Sequence, residues 1–149
     1  MITYRNATES DLLEIVHLMK DDILGKDIEN VSDLSNYQKA FHEIQNSPDN
    51  ELIIMLKDGE IIGTFQLTIT PYLVLNGTKR ATIESVLIHS SFRGNGYGSQ
   101  MMQYAISLAK EKGAKLVQLT KNKKRIDAKR FYEKLGFVAS HEGMKFYII

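Results

Sequence analysis

Arg93-Gly94-Asn95-Gly96-Tyr97-Gly98-Ser99 stands between two patterned runs. Before it, Arg80 to His89 reads as a long strand; after it, Met101, Met102, Ala105, Leu108 and Ala109 recur at helical spacing within Tyr97 to Lys112. Three glycines at every second position let the backbone turn with its N–H groups unobstructed, and the following helix adds its positive N-terminal end. The combination is a cradle for an anion. A glycine turn without a ligand is the alternative, but three glycines weaken strand and helix without another evident need. A nucleotide P-loop requires Gly-Lys-Ser/Thr, whereas Gly98-Ser99-Gln100 has no lysine. A dinucleotide loop requires Gly-x-Gly-x-x-Gly after a first strand; here the third glycine comes one residue early and the loop lies two-thirds along the chain.

Working outward, Ile2 to Asn6 reads as a first strand, and Thr8-Glu9-Ser10-Asp11 offers a helix N-cap with an acid three residues on. Leu12, Ile15, Val16, Met19 and Ile23 give one apolar helix face that ends near Gly25. Residues 26 to 34 read as a polar, mobile connection to a second helix carrying Tyr37, Phe41 and Ile44, which Ser47-Pro48-Asp49-Asn50 stops. Leu52 to Lys57 and Glu60 to Thr70 flank Asp58-Gly59, the signature of a tight hairpin, and Asn76-Gly77 marks another turn. After the loop and its helix, Lys115 to Thr120 is a short strand. Ala128, Phe131 and Leu135 lie on a late helix closed by Gly136, with Phe137 behind it, and Met144 to Ile149 is a last strand. The order defines a mixed α/β layer fold.

The chain's 149 residues suit one domain. At 43% hydrophobic and 25% charged, its composition argues against disorder, and zero Cys excludes disulfides, thiolate metal sites and cysteine nucleophiles. The start has no leader pattern and no stretch approaches 18 apolar residues, so a soluble, cytoplasmic protein is expected. The net charge of +1 hides an asymmetry: residues 1 to 60 hold 13 acids and 5 bases, residues 110 to 134 hold 10 bases and 3 acids. The basic segment suits the phosphates of a small cofactor or of nucleic acid, or a solvated helix face.

The run Arg93-x-x-Gly96-x-Gly98 resembles the pyrophosphate loop of the GNAT N-acetyltransferase superfamily, Gln/Arg-x-x-Gly-x-Gly/Ala. Tyr4 to Asp11 is similar to that family's first strand and helix start, and Ala128 to Phe137, with its Phe-Tyr-x-x-x-Gly-Phe segment, to its late helix. The resemblance covers nearly the whole chain. It implies a single acetyltransferase domain over residues 1–149, built on a mostly antiparallel, twisted sheet of six to seven strands flanked by about four helices.

The resemblance also implies roles. Backbone amides of Gly94, Asn95, Gly96, Tyr97, Gly98 and Ser99 would hold the pyrophosphate of acetyl-CoA, with Arg93 lending charge. Main-chain groups of Val86, Leu87 and Ile88 would bond the pantetheine arm as an extra strand would; the same three also suit a core. Tyr132 matches the general acid that protonates the departing thiolate, and a phenol near pKa 10 is protonated at pH 7. The alternative for Tyr132 is helix packing beside Phe131. Glu84 matches a strand position where many relatives carry a catalytic glutamate, and is the one acid between Glu60 and Glu111. An ordinary carboxylate is a weak base for an ammonium, so burial must raise its pKa or an ordered water must relay the proton; a solvated glutamate is the alternative. The family's usual asparagine three residues before the helix alanine is replaced by Arg125, and Asn122 lies six before it. Asn122 would cap the helix or touch the cofactor. Arg125 and Lys121, Lys123 and Lys124 would meet the 3′-phosphate or stay solvated. His17, His42, His89 and His141 lack metal-ligand spacing, so no metal is expected. His89 reads as a polar strand end, with a base as the alternative.

The expected function is therefore acetyl transfer from acetyl-CoA to a primary amine of a small molecule, or of a protein or peptide, by direct attack in a ternary complex. A non-catalytic acyl-CoA-binding or interaction domain is the rival, opposed by the joint presence of Glu84 and Tyr132. Nucleic acid is not an expected partner: the basic segment lacks interleaved aromatics before Phe131, and the acidic first 60 residues repel phosphate. No membrane partner is expected, and the family implies a possible homodimer. The acceptor is expected to enter near residues 24 to 41 and Tyr72; the acidic amino-terminal portion favours a cationic amine such as a polyamine, an aminoglycoside or a lysine side chain, whereas Arg125-x-Asp127-Ala128-x-Arg130-Phe131-Tyr132 resembles family members that acetylate small metabolites, including aminoalkylphosphonates.

Overall fold

The structure, a computed structural model, describes residues 1–22 and 24–149. It divides into two compact units, Met1–Gln118 and Leu119–Ile149.

The first unit is a five-stranded sheet in the order β1 (Ile2–Asn6), β2 (Asn50–Lys57), β3 (Glu60–Pro71), β4 (Lys79–Ile88) and β5 (Leu116–Gln118). The first three pairings are antiparallel and the last is parallel. Asp58 and Gly59, with φ of 50° and 86°, make the tight hairpin between β2 and β3 that the Asp-Gly pair announces. The parallel pairing of β4 with β5 needs a crossover, which the loop and helix α3 (Tyr97–Glu111) supply. Helices α1 (Leu12–Asp21) and α2 (Ser35–Gln45) lie between β1 and β2 in sequence.

Each sheet face has its own core. Leu12, Ile15 and Leu18 of α1 and Phe41 of α2 cluster with Leu52, Ile54, Leu56, Ile61 and Leu87. On α3, Met101, Met102, Ala105 and Ala109 are fully buried, and Tyr104 packs edge-on to Phe65 of β3. At about 1.5–3 kcal/mol for each fully buried large apolar side chain, these two layers are the main stabilising contribution. At the amino-terminal entry to α1 the buried Asp11 is met by exposed partners: the Arg5 guanidinium donates to both Asp11 carboxylate oxygens, at 2.7 and 3.1 Å, and the Thr8 N–H donates to Asp11 at 2.7 Å. That is the acid expected three residues after the cap.

Three features differ from the sequence reading. Helix α1 stops at Asp21 because Asp22 is extended (ψ 144°); Ile23, expected on its apolar face, lies outside the described residues. The 26–34 connection, expected to be mobile, carries hydrogen bonds to both neighbouring helices. The Lys20 ammonium donates to the carbonyls of Lys26 and Glu29, and the Tyr37 hydroxyl donates to Glu29 while accepting from the Asn30 N–H. Among the described residues the sheet has five strands, where six to seven were expected.

The second unit holds α4 (Ala128–Lys134); with the one-turn segment Val74–Gly77, whose Leu75 and Asn76 take left-handed φ of 54° and 61°, the described residues form five α-helical segments where about four were expected. The end of α4 is the expected one: Gly136 N–H donates to Glu133 and Phe137 N–H to Tyr132, the paired bonds of a Schellman cap. Met144 to Ile149 is not a strand; Met144, Phe146 and Ile148 are each more than 90% exposed. β-propensity forms a ladder only against a partner edge, and residues 119–149 contain no strand to provide one.

Candidate functional site

The site grows out of a defect in β4. Gln66 of β3 stands opposite Glu84, but Thr64 stands opposite Leu87, so Ser85 and Val86 together face one residue of β3. This is a β-bulge, and Ser85 takes φ of 54° to make it. Glu84 and Ser85 are exposed, Val86 and Ile88 half-buried and Leu87 buried. β5 pairs only with Arg80, Ala81 and Thr82. Beyond Thr82 the β5-side edge of β4 has no neighbouring strand among the described residues, which leaves an open edge from Ile83 to Ile88.

That edge leads through a 3-10 turn, Ser90–Phe92, into the glycine loop. Gly94 and Gly96 take φ of 79° and 83°, and a Cβ at either would meet nothing within 4 Å. Their requirement is conformational, not spatial. Gly98 already belongs to the first turn of α3, where Gln100 N–H to Gly96 carbonyl is the first helical bond. The N–H groups of residues 94 to 99 therefore donate to no acceptor among the described residues, and these six consecutive donors lead into a helix N-terminus.

Three contacts hold the loop in place. Arg93 Nε–H donates to the Ile88 carbonyl at 2.9 Å. Asn95 Nδ2 donates to the carbonyls of Phe92 and Arg93, at 3.3 and 3.2 Å, so its side chain stiffens the turn. His89 Nδ1 accepts from Ser91 N–H at 3.1 Å, so His89 caps the 3-10 turn and that nitrogen is committed. Asp21, the last residue of α1, accepts from Ser90 N–H at 3.3 Å and lies 4.0 Å from Arg93 Nη2. Hydrogen bonding from Ser90, with the charge of Arg93 behind it, draws its carboxyl below the ordinary value. The Lys57 ammonium sits 5.6 and 5.4 Å from the ring centroids of Phe92 and Tyr97, and the Tyr97 phenol raises its pKa.

Asp21 and Lys57 had escaped the sequence reading. Their partners lie 69 and some 35–40 residues away, and no local spacing links them.

In the second unit Tyr132 lies mid-helix in α4, its ring 5.0 Å from Phe131 and 5.7 Å from Phe137. Burial pushes its phenol above the ordinary value of 10, against the opposing pull of Arg125. Asn122 does not cap α4, whose N-cap is Asp127. Its carbonyl oxygen Oδ1 accepts from Lys124 N–H at 2.9 Å and its backbone carbonyl from Arg125 N–H, so it closes its own turn. The structure thus gathers Glu84, Val86, Leu87, Ile88 and Arg93 to Ser99 in the first unit, and Asn122, Arg125 and Tyr132 in the second. Among the described residues no group of three His, Asp or Glu side chains is arranged to hold a metal ion, and no helix is long and apolar enough to cross a membrane.

A bulged strand with an open edge, running into a loop of free N–H groups at a helix N-terminus, is the geometry expected of an acyl-CoA-dependent N-acetyltransferase. Comparison with known proteins agrees: the acetyltransferase (GNAT) family profile matches residues 16–137, and the chain belongs to that family. An aminoalkylphosphonate N-acetyltransferase from Salmonella typhimurium is 29% identical over 137 residues, covering 92% of this chain and 85% of its own. A solved structure described as a transcriptional regulator from Bacillus halodurans C-125 is 49% identical with a TM-score of 0.95, over 99% of this chain and 100% of that one. A protein from Clostridium acetobutylicum described as a predicted acetyltransferase and solved with acetyl-CoA shares the fold at 21% identity, with a TM-score of 0.75 over 99% of this chain and 96% of that one. The protein is a GNAT N-acetyltransferase with the α+β fold of that family.

Proposed function

We propose that residues 1–149 act as one acetyltransferase domain that moves the acetyl group of acetyl-CoA to a primary amine of a small molecule, by direct attack in a ternary complex. The observation that carries this reading is the run of free N–H donors from Gly94 to Ser99, directly after the open edge of a bulged strand. When bound, acetyl-CoA supplies a thioester carbonyl activated toward an amine. The loop amides hold its pyrophosphate, and the free edge around Val86 and Leu87 receives the pantetheine arm. Ile88 contributes less there, because its carbonyl already accepts from Arg93.

Glu84 removes the proton of the incoming amine. Being exposed, it does so through an ordered water and not as a desolvated base. Tyr132, held protonated by burial, donates a proton to the departing sulfur. No cysteine is present to carry the acetyl group, in keeping with direct transfer. Arg125 and the neighbouring lysines offer charge to the 3′-phosphate. Thiol release on mixing the protein, acetyl-CoA and a panel of amines tests the reading; release that no amine increases would contradict it.

A second reading, control of transcription, is favoured by the name of the 49% identical relative. It requires salt-dependent retention of duplex DNA, and the acidic first 60 residues oppose that.

A further inference from the structure

We infer that residues 144–149 are an exchange arm, which pairs as an added strand with the free edge of β5 in a second copy of this chain while that copy's arm pairs with β5 of the first. The inference concerns assembly and stands independently of the acetyl-transfer reading.

The arm is apolar and uncovered. None of residues 119–149 is buried, so the second unit has no sealed core. A unit that short needs a staple or a partner to be stable, and the chain has no Cys to supply a disulfide. Its apolar packing gathers at α4, where Phe131, Tyr132, Leu135 and Phe137 are half-buried. Residues 138–149 are exposed throughout, and Met144, Phe146, Tyr147, Ile148 and Ile149 are among the large apolar side chains left in solvent. The segment has no proline and one charge, Lys145, which is the composition of a strand. As a strand it sets Met144, Phe146 and Ile148 in one row and Lys145, Tyr147 and Ile149 in the other.

The edge that receives it is on the same chain. β5 closes the sheet, and among the described residues only β4 pairs with it, through Arg80, Ala81 and Thr82. Its second edge therefore carries unpaired main-chain N–H and C=O groups. Sheet edges that stay in solvent are blunted by charge, proline or a bulge. The opposite outer strand, β1, carries Arg5. β5 is Leu116-Val117-Gln118, with no charge, no proline and a regular register. Leu116 is exposed, and Val117 stands opposite the fully buried Ala81. Val117 thus begins an apolar row that the row of Phe146 extends.

A second copy fits both features at once. Arm and edge come in equal numbers, so a twofold pair of chains satisfies both, whereas a different partner leaves one of them open. Charge points the same way: residues 119–149 hold 8 bases and 3 acids, residues 1–118 hold 11 bases and 15 acids, a net +5 against −4. The second unit of one copy is therefore attracted to the first unit of another. The area is sufficient as well. At about 150–250 Å² for each aromatic side chain, Phe146 and Tyr147 of two arms supply roughly 600–1,000 Å². The aliphatic residues of the arms, and the surface that both arms cover, carry the total beyond the roughly 1,000 Å² that a biological interface needs.

The test uses the full chain. Sedimentation equilibrium at micromolar protein should give twice the chain mass, and the double variant Phe146→Asp with Ile148→Asp should fall to one chain mass with its circular dichroism unchanged. For the case in which that variant does not fold, a second one carries Leu116→Cys and Phe146→Cys in this otherwise cysteine-free chain. A short bismaleimide should join it between chains, giving a covalent dimer on a denaturing gel; an arm that closes on its own β5 leaves the monomer band. A single chain mass for the wild type overturns the inference. So does a doubled mass that the folded Phe146→Asp, Ile148→Asp protein retains, or a cross-linker that joins no two chains.

Discussion

Arg93 Nε–H donates to the carbonyl of Ile88 at 2.9 Å, so the first residue of the glycine loop is fastened to the last residue of the strand beside which the donor is proposed to lie. Arg93 thus acts as a brace, and its charge is partly directed at Asp21. Arg93→Met should raise KM for acetyl-CoA about tenfold, near 1.4 kcal/mol, with a smaller change in kcat. Asp21→Asn should move KM in the same direction by less, because its pair with Arg93 is solvated. Equal KM values in wild type and Arg93→Met would remove the brace from the account.

Gly96 offers a sharper probe of the loop. Its φ of 83° is costly for alanine, by about 1–2 kcal/mol, although a Cβ would find open space. Gly96→Ala should weaken acetyl-CoA binding by about tenfold or more and lower Tm by a few degrees. Gly96→Asn should do less on both counts, since asparagine tolerates the left-handed region. Calorimetry of the three proteins checks the ranking.

Tyr132→Phe removes the proposed acid and keeps the ring packing against Phe131 and Phe137. Turnover should fall about 10²-fold while acetyl-CoA affinity stays nearly constant. A matching loss of affinity would make Tyr132 a binding residue. Because burial raises its pKa above 10, the limb of the pH profile caused by its ionisation lies above pH 10.

Glu84→Gln should lower kcat, most strongly at low pH, where the acceptor amine holds its proton. An unchanged pH profile would dismiss Glu84 as the proton acceptor.

Asp11 supplies a stability prediction with a defined sign. The Arg5 hydrogen bond, with Thr8 contributing, lowers its pKa below 3.8 in the folded state. Its contribution is therefore fully present above pH 3.8 and is lost as pH falls through the folded value. Asp11→Asn should cost about 1–3 kcal/mol in urea unfolding at pH 7 and should reduce the difference between wild type and variant below pH 3.

The elements that the sequence made legible are those whose signals are local. Asp58-Gly59 marks its hairpin, Thr8 with Asp11 marks the start of α1, and Gly136 with Phe137 marks the end of α4; each acts through neighbours a few residues away. The loop from Arg93 to Ser99 was legible for the same reason. What escaped depends on register. The bulge at Ser85 and Val86 appears only when Gln66 and Thr64 are paired with Glu84 and Leu87. The hydrogen bonds of Gln66 and Thr68 to Asn50, and of Gln118 to Thr82, likewise join residues that lie 16 to 36 positions apart in the chain. The expected strand at Met144 to Ile149 shows the converse: its apolar residues fit a ladder, but a ladder requires a second edge, which no residue type encodes.

The most direct test of the central claim is calorimetric titration of the protein with acetyl-CoA, with adenosine 3′,5′-bisphosphate as the fragment control. The expected result is one site per chain with roughly micromolar affinity for the whole molecule, weaker binding of the fragment, and about a tenfold loss in Gly96→Ala. Absence of acetyl-CoA binding, or binding equally tight in Gly96→Ala, would contradict the assignment of the Gly94 to Ser99 amides to the donor.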